Sequence, residues 1–574
     1  MPLRPFSREQ AWLLPPTLDE LIPDDHPVRF AAAFVDSLDA AAWEAMEIDL
    51  QGDPRGAGAY HPRALLGVWV YGFMTGVRSS RKLEAACRDQ VPYLWLVGMQ
   101  QPDHNTLWRF YKAHRDRMRT LLKHTVRTAV RAGLVELAIQ AVDGTRIAAN
   151  AGTRHTHDAQ GLQRLLSRTE QAIADLEAQN ATGGDAPPAT LPQELADAQA
   201  LRRRVDDALA RVAAEDGPRY TNLTDADAAL LKTGMGGFIT GYNAQALVSP
   251  LASPDEGAGG RLITAVDVSA SADDHPHLAP LIEAAQENID AARDVVTVAD
   301  AGYHSGANLA TCHAGGHTVL MPETHERRRR NPYHKDHFTY RPETDTYLCP
   351  QQKVLTYTHR LTHGNGYRVK RYQANGRDCR TCPAFGVCTS SQRGRSIKIS
   401  VYEPILQRHR QLMATAPAKQ VYRRRSTIVE PVFGLLKEWH SARRFLLRGR
   451  SHVASEWHLL ATAFNLKSLH ALWRSGSSPA SPQGQTRHWH RLVHPTRHLS
   501  VLLSPFSVPR TRILRQPLGE RAGVRGSFCY DGPLRWAVPR RIRAESVCIW
   551  RDFRRSTLTL ALSRRGRGNY FATA

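Results

Sequence analysis

Long apolar runs are missing from this sequence. The longest, Ala64 to Val77, is broken by Gly67 and Gly72 and is too short to span a bilayer. The N-terminus, Met-Pro-Leu-Arg-Pro-Phe-Ser-Arg, has no apolar stretch of the kind a secretory leader needs. Cysteine is scarce, with eight in 574 residues and four of them clustered, which argues against a disulfide-stapled extracellular domain. These absences predict a cytoplasmic chain with no membrane contact. Acidic residues are scarce in one region: Ser475 to Ala574 holds 18 Arg, no Lys and 4 acids. That stretch supplies +14 of the net charge of +22, leaving +8 for residues 1–474. Net charge by itself is therefore a weak argument for nucleic-acid binding.

At 574 residues the chain exceeds a single ordinary core, and two to four domains are expected. Residues 1–130 read as a helical domain. Pro62 stands just before an apolar helix, and Asp103-His-Asn-Thr supplies cap residues for a helix running toward Arg131. Such a domain could serve DNA binding or dimerisation. Residues 135–148 carry a strand pattern with Asp143 near the middle. Leu162, Leu165, Leu166, Ile173 and Leu176, then Leu195, Leu201, Val205, Leu209 and Val212, follow helical spacing around the breaker at 180–188. This predicts a charged helical hairpin inserted at about 158–216. Strand signals return at Phe238–Val248 and Leu262–Val266, followed by a helix, the strand Val295–Ala299, a helix capped by Ser305 and a strand at His317–Met321. Asp300 then lies at the carboxyl end of a parallel strand, where open α/β sheets place their sites. Residues 324–420 are basic, short-stranded and cysteine-bearing, and 421–474 return to helix. The Ser/Pro/Arg-rich residues 475–574 read as a disordered tail resembling translated repetitive DNA.

Three carboxylates stand out by context. Asp143 is in Val-Asp-Gly-Thr-Arg, Asp300 in Val-Ala-Asp-Ala-Gly-Tyr, and Glu430 in Ile-Val-Glu-Pro-Val-Phe-Gly-Leu-Leu-Lys437. Mg²⁺ and Mn²⁺ prefer hard oxygen ligands, and a pair of such ions about 4 Å apart can drive an in-line displacement at phosphorus. Glu430, Gly434 and Lys437 fall on one helix face, which would let Lys437 reach a phosphate beside the carboxylates. Pro431 opposes an α conformation at Glu430 unless the helix begins or kinks there. Asp225 and Asp227 read as turn residues, and Tyr303 with His304 as either base-contacting or packing groups.

The sequence resembles bacterial insertion-sequence transposases of the DDE class, most of all the IS-eleven-eighty-two-like group. The resemblance runs through residues 1–474. It is carried by Leu18-Asp-Glu-Leu-Ile-Pro-Asp-Asp-His-Pro-Val-Arg, Asp143-Gly-Thr-Arg-Ile-Ala-Ala-Asn-Ala, Thr224-Asp-Ala-Asp-Ala with Gly241-Tyr-Asn-Ala-Gln, Ala299-Asp-Ala-Gly-Tyr, and Val429-Glu-Pro-Val-Phe-Gly-Leu-Leu-Lys with Arg444-Phe-Leu-Leu-Arg-Gly. It implies metal-dependent cleavage at element ends and 3′-hydroxyl strand transfer into target DNA. Asp143, Asp300 and Glu430 would be the catalytic metal ligands. Tyr422, Arg425 and Lys437 approximate a signature of related enzymes, with Arg444 beside them as a further DNA contact. The Arg-to-Glu interval is one residue longer than usual, so Arg424 stands as an alternative to Arg425. The implied partners are double-stranded element ends and target DNA, bound by a homodimer or larger assembly. A metal-dependent nuclease without strand transfer, or an idle transposase-derived DNA-binding protein, are the competing readings.

Cys349, Cys379, Cys382 and Cys388 are spaced C-x29-C-x2-C-x5-C. The close pair has knuckle spacing for a tetrahedral Zn²⁺, and four sulfur ligands would let a core-poor insertion fold. The expected architecture is α/β: a ribonuclease H-like mixed sheet flanked by helices spans 131–474. It follows a helical N-terminal domain and carries the helical-hairpin and cysteine-rich insertions.

Overall fold

The computed structural model describes residues 16–474 apart from 53–57, 182–192, 216, 235, 253–259, 291–294, 324–330 and 363–367; the Arg-rich stretch 475–574, expected as a disordered tail, lies outside the described residues. The chain opens with seven helices: α1 (Pro27–Asp36), α2 (Ala40–Ala45), α3 (Pro62–Thr75), α4 (Ser80–Asp89), α5 (Val91–Leu96), α6 (His104–His114) and α7 (Thr120–Arg131). Pro62 sits in the first turn of α3, where its missing N–H costs nothing, and Gly76 ends the helix at φ 78°. None of the described helices is long and apolar enough to cross a membrane.

The helix expected to run from Asp103 to Arg131 is in fact two, α6 and α7. The intervening turn is bonded to the last helix of the described chain, α15 (Arg450–Arg474). Asp116 accepts from Ser455 Oγ at 2.6 Å, and Arg119 donates to the Ser451 carbonyl at 2.7 Å. These contacts stabilise a bend that sequence periodicity cannot register.

The main sheet contains β1 (Ile139–Ala148), β4 (Ala229–Lys232), β5 (Phe238–Pro250), β6 (Arg261–Ser269), β7 (Val296–Val298) and β8 (Thr318–Leu320). A separate two-stranded ribbon is formed by β2 (Thr156–His157) and β3 (Thr221–Asn222). Across the main sheet the order is β6-β5-β1-β7-β8, with β4 on the β6 side of β5 near Phe238. The β1–β5 and β5–β6 pairs are antiparallel, whereas β1–β7 and β7–β8 are parallel. The connection from β7 to β8 is α11 (Gly306–Ala314), and α10 (Leu278–Ile289) links β6 to β7. Three antiparallel strands followed by two parallel ones, the fourth beside the first, form the ribonuclease H-like arrangement.

Helix α15 closes the core against this sheet. It is buried on nearly all sides, including Val453, Trp457, Leu460, Phe464 and Leu466, as an apolar-all-round central helix should be. Its Asn465 accepts from Ile263 N at 2.7 Å and donates to Ile263 O at 2.8 Å. The amide thus satisfies backbone groups on the outer edge of β6. Helices α8 (Ala159–Ala181) and α9 (Gln193–Ala213) pair around Leu162, Val205 and Ala208. A second sheet holds β9 (Thr339–Arg341), β10 (Thr346–Leu348), β11 (Val354–Thr362), β12 (Arg368–Ala374) and β13 (Ser396–Ser400), all antiparallel. The short α12 (Gly376–Arg380) packs beside it, and α13 (Glu403–Ala414) and α14 (Ala416–Trp439) lead back to the main sheet.

Candidate active site

Strand register brings the first two carboxylates together. β1 pairs with β7 with Ala141 opposite Val298. Asp143 and Asp300 each lie two residues further on and so stand level, Asp143 in the middle of β1 and Asp300 just past the carboxyl end of β7. Asp300 begins a single helical turn, Ala301–Tyr303, and accepts from Gly302 N at 2.8 Å. Asp143 accepts from Gly144 N at 2.8 Å through one oxygen and from Arg425 Nη1 at 3.0 Å through the other. Burial pushes the Asp143 carboxyl above the usual carboxylate range; Arg425 opposes that shift and the Asp300 charge adds to it.

Glu430 arrives on α14. Arg425 bridges the two elements, donating to Asp143 and, through Nη2, to Glu430 Oε1 at 3.2 Å. Arg424 points elsewhere and forms a two-pronged pair with Glu136 at 2.9 Å on each oxygen. Of the two arginines, Arg425 is the one that contacts Asp143 and Glu430. Tyr422, about two turns before Glu430 on the same helix, is held above the usual phenol range chiefly by burial, with Arg425 opposing the shift and the Asp300 and Asp143 charges adding to it. Lys437 donates to Thr145 Oγ1 at 2.7 Å, two residues along β1 from Asp143. Arg444 is exposed in the loop after α14, and its backbone bridges in parallel to Ala148 at the end of β1.

Pro431 lies inside α14, with the helix continuing on both sides. A proline there leaves the carbonyl four residues earlier without its donor. That carbonyl belongs to Thr427, and Arg261 Nε, from the first residue of β6, donates to it at 2.9 Å. The helix therefore neither starts nor needs to break at Glu430.

A fourth carboxylate, absent from the sequence reading, joins the group. Asp274 follows β6 and accepts through one oxygen from Asn243 Nδ2 at 2.7 Å and Gln245 Nε2 at 2.6 Å. A Cβ placed on Gly302 would lie 2.9 Å from Asp300 Oδ1 and 3.1 Å from Asp274 Oδ2, so the two carboxylates flank that glycine. Gly144 is needed for the same cluster, since a Cβ there would meet Gln245 Nε2 at 2.5 Å and Asn243 Oδ1 at 2.9 Å. Tyr303 is fully buried and donates to Gln245 Oε1, which makes it a packing and bonding residue rather than an accessible stacking one. The only sequence signal for this layer was Gly241-Tyr-Asn-Ala-Gln, which contains both amides.

Asp225 and Asp227 serve elsewhere. Asp225 accepts from Tyr242 OH at 2.9 Å and from Gly449 N at 3.1 Å. Asp227 accepts from Arg450 N at 3.0 Å and from Arg211 at 2.7 Å. Both place negative charge at the start of α15, where it is favourable.

The four cysteines expected to act together line one pocket, with Tyr333, Phe385 and Arg395. They are free thiols. Cys349 Sγ accepts from Lys353 N at 3.2 Å, and Cys379 Sγ from Arg395 N at 3.4 Å. Burial raises Cys388; Arg395 opposes this, and the other three cysteines add to it. Among the described residues no three His, Cys, Asp or Glu side chains are already grouped as a metal cage. In the carboxylate cluster, the Arg425 guanidinium stands between Asp143 and Glu430.

The topology defines a ribonuclease H-like α/β protein with acidic residues converging on its central strands. Residues 348–470 match the family model described as Transposase DDE domain, and residues 16–113 match the one described as Transposase domain (DUF772). These two segments are thus similar to domains of DDE-class transposases. The first match spans α14 with Glu430 but not the strands bearing Asp143 and Asp300. No curated protein matches the chain.

Proposed function

We propose that this chain, as a DDE-class transposase, cleaves DNA at the ends of its own element and joins the freed 3′-hydroxyl to target DNA, with Asp143, Asp300 and Glu430 as the catalytic carboxylates. The observation that carries the reading is the level register of Asp143 and Asp300, with Arg425 linking Asp143 to Glu430. Among the described residues Arg425 is paired with Asp143 and Glu430, and Lys437 lies nearby on Thr145, so four carboxylates against two bases leave the cluster with excess negative charge and hard oxygen donors. That donor set fits Mg²⁺ or Mn²⁺. When bound, such ions activate the attacking oxygen and stabilise the leaving one. Asp143, Asp300 and Glu430 would hold them, while Asn243 and Gln245 fix Asp274 beside Asp300. Lys437 and Tyr422 would orient a scissile phosphate, and exposed Arg444 would hold the flanking backbone. DNA ends and target are the partners, engaged by a multimer in the cytoplasm. Residues 1–130 would act in end binding or dimerisation, 131–474 in catalysis, and the hairpin at 158–216 as a spacer within that domain.

The test uses the full chain, Mg²⁺ and a duplex bearing the element ends, comparing the wild type with Asp143→Ala, Asp300→Ala and Glu430→Ala. Each substitution is expected to abolish both nicking and joining. Cleavage surviving any of the three sinks the assignment, and cleavage without joined product by the wild type reduces the protein to a nuclease. Binding without either reaction would leave an idle DNA-binding protein.

The 324–420 insertion is proposed to hold a structural Zn²⁺ through Cys349, Cys379, Cys382 and Cys388. Support comes from their shared pocket and from the backbone N–H donors on two of the sulfurs. Purified protein should contain about one zinc per chain, released by a thiol-reactive reagent and lost in Cys379→Ser/Cys382→Ser. Metal content well below stoichiometric would end the idea.

A further inference from the structure

The net charge of residues 1–474 is concentrated in one place. Residues 339–400 contain 11 Lys and Arg against 3 Asp and Glu, a surplus of +8. The rest of 1–474 holds 47 basic and 47 acidic residues and balances to zero. Within that segment the five strands β9–β13 carry Arg341, Arg360, Arg368, Lys370, Arg371 and Lys398 and not one Asp or Glu.

Register divides this sheet into two unlike faces. One face holds Tyr340, Tyr347, Tyr357 and Tyr372, which contact one another in series, with Leu355, Ile397 and Ile399 closing a small core. The other carries two central cross-strand rows of polar residues, flanked by the apolar Leu348 and Val354 at one end and Leu361 and Val369 at the other. The first is Arg341–Thr346–Thr356–Gln373–Ser396 and the second His359–Arg371–Lys398. None of these eight residues is buried; Arg341, Thr356, His359 and Lys398 are exposed. The alternation is clear in β13, where Ile397 and Ile399 are buried and Lys398 between them is exposed. Arg371 Nε has no hydrogen-bond partner.

We infer that this polar face is a docking surface for the sugar-phosphate backbone of duplex DNA, separate from the carboxylate cluster. The inference rests on the DNA-processing reading above. Hydroxyls, an imidazole and cations free of carboxylate neighbours are the groups that contact phosphates. Five strands of three to nine residues, about 4.8 Å apart, make a platform on the order of 20 Å across, comparable to a duplex. The tyrosines lie on the opposite face, so the polar face offers no aromatic platform on which unpaired bases would stack.

The test is equilibrium binding of a fluorescent duplex to the full chain across salt concentrations, comparing wild type, Arg341→Gln/Arg371→Gln/Lys398→Gln, and Arg341→Lys/Arg371→Lys. Removing two to three phosphate contacts lowers the salt slope by about 0.9 for each contact, which corresponds to at least ~50-fold weaker binding near 0.1 M salt. The loss should be equal for element-end and unrelated duplexes, and the lysine variant should bind as wild type does. A glutamine variant with wild-type affinity and slope overturns the inference and leaves the catalytic reading standing. A lysine variant as weak as the glutamine variant, or a preference for single strands over duplex, overturns it as well. Failure of the wild type to bind any duplex would remove both readings.

Discussion

Arg78 and Glu456 form a buried ion pair whose loss should be costly. Their side chains are 4% and 2% exposed and meet at 2.5 Å. Arg78 also donates to the carbonyls of Ser441 and Arg444, and Glu456 accepts from Leu446 N and Leu447 N at 3.0 Å. The pair therefore clamps loop 441–447, whose Phe445 N donates to Ala148 O at 2.9 Å at the end of the strand bearing Asp143. Arg78→Met would strand a buried carboxylate with two backbone donors and leave two carbonyls without their guanidinium. Breaking a buried pair from one side costs about 3–5 kcal/mol, a large share of the roughly 5–15 kcal/mol that stabilises a folded protein. Urea unfolding followed by tryptophan fluorescence measures the loss. Burial already holds the Glu456 carboxyl high, with Arg78 and the two backbone donors opposing the shift. Without Arg78 its folded pKa rises further above the unfolded value, so protonation relieves the variant and its deficit should shrink as pH falls from 8 toward 5.5. Arg78→Met/Glu456→Gln should recover part of the loss at pH 8. A single-variant deficit below about 1 kcal/mol, or one independent of pH, would refute the reasoning.

Three further outcomes are expected. His440 is fully buried, bonds Phe73 O at 2.9 Å and is held down to about 4, chiefly by burial. The unfolded chain takes up that proton near pH 6.5 but the folded chain only near 4, so stability falls across that window by about 3 kcal/mol. His440→Gln should flatten that acid limb in urea titrations at pH 7 and 4.5, and an unchanged slope counts against it. Asp274→Ala should weaken Mn²⁺ binding, read by electron paramagnetic resonance, by roughly 10- to 100-fold with little change in stability; unaltered binding would show that Asp274 plays no part in metal affinity. Gly241→Ala would drive a Cβ to 2.2 Å from Ile147 O in the facing strand, and should cost about 3 kcal/mol in chemical unfolding; a neutral variant would mean that β5 yields more easily than its pairing implies.

Periodicity carried much of the fold. The strand pattern around Asp143 and the short apolar run before Asp300 are local signals, and strand–helix–strand order makes the second part of the sheet parallel. What could not be read depends on contacts across long sequence separations. The choice between Arg424 and Arg425 turns on the phase of α14, and that phase survives Pro431 because Arg261 donates to Thr427 from 166 residues away. No property of residues 422–437 foretells that donor. Asp274 was invisible for a similar reason, since its partners Asn243 and Gln245 are ordinary polar residues until β5 aligns them along β1, opposite Arg146 and Gly144. The break between α6 and α7 is likewise set by Ser451 and Ser455, more than 330 residues further on. Cysteine spacing was legible because close pairing in sequence forces closeness in space. The two faces of the inserted sheet were not, because face assignment needs the register, including the irregularity between Tyr357 and His359.

Charge distribution bears on how such a protein could hold DNA. The carboxylate cluster places Asp143, Asp274, Asp300 and Glu430 near Arg425 and Lys437, so in isolation it repels a phosphate. Affinity for a polyanion must then be generated away from the reacting centre and applied to it through the fold. Outside residues 339–400 the first 474 residues are electrically balanced, so among them the surplus able to supply that attraction lies in the inserted sheet. A site that binds cations and a surface that binds phosphates have opposite electrostatic requirements. Housing them in separate sheets lets each keep its own sign, and a cation bound among the carboxylates would then convert a repulsive cluster into one that accepts the scissile phosphate.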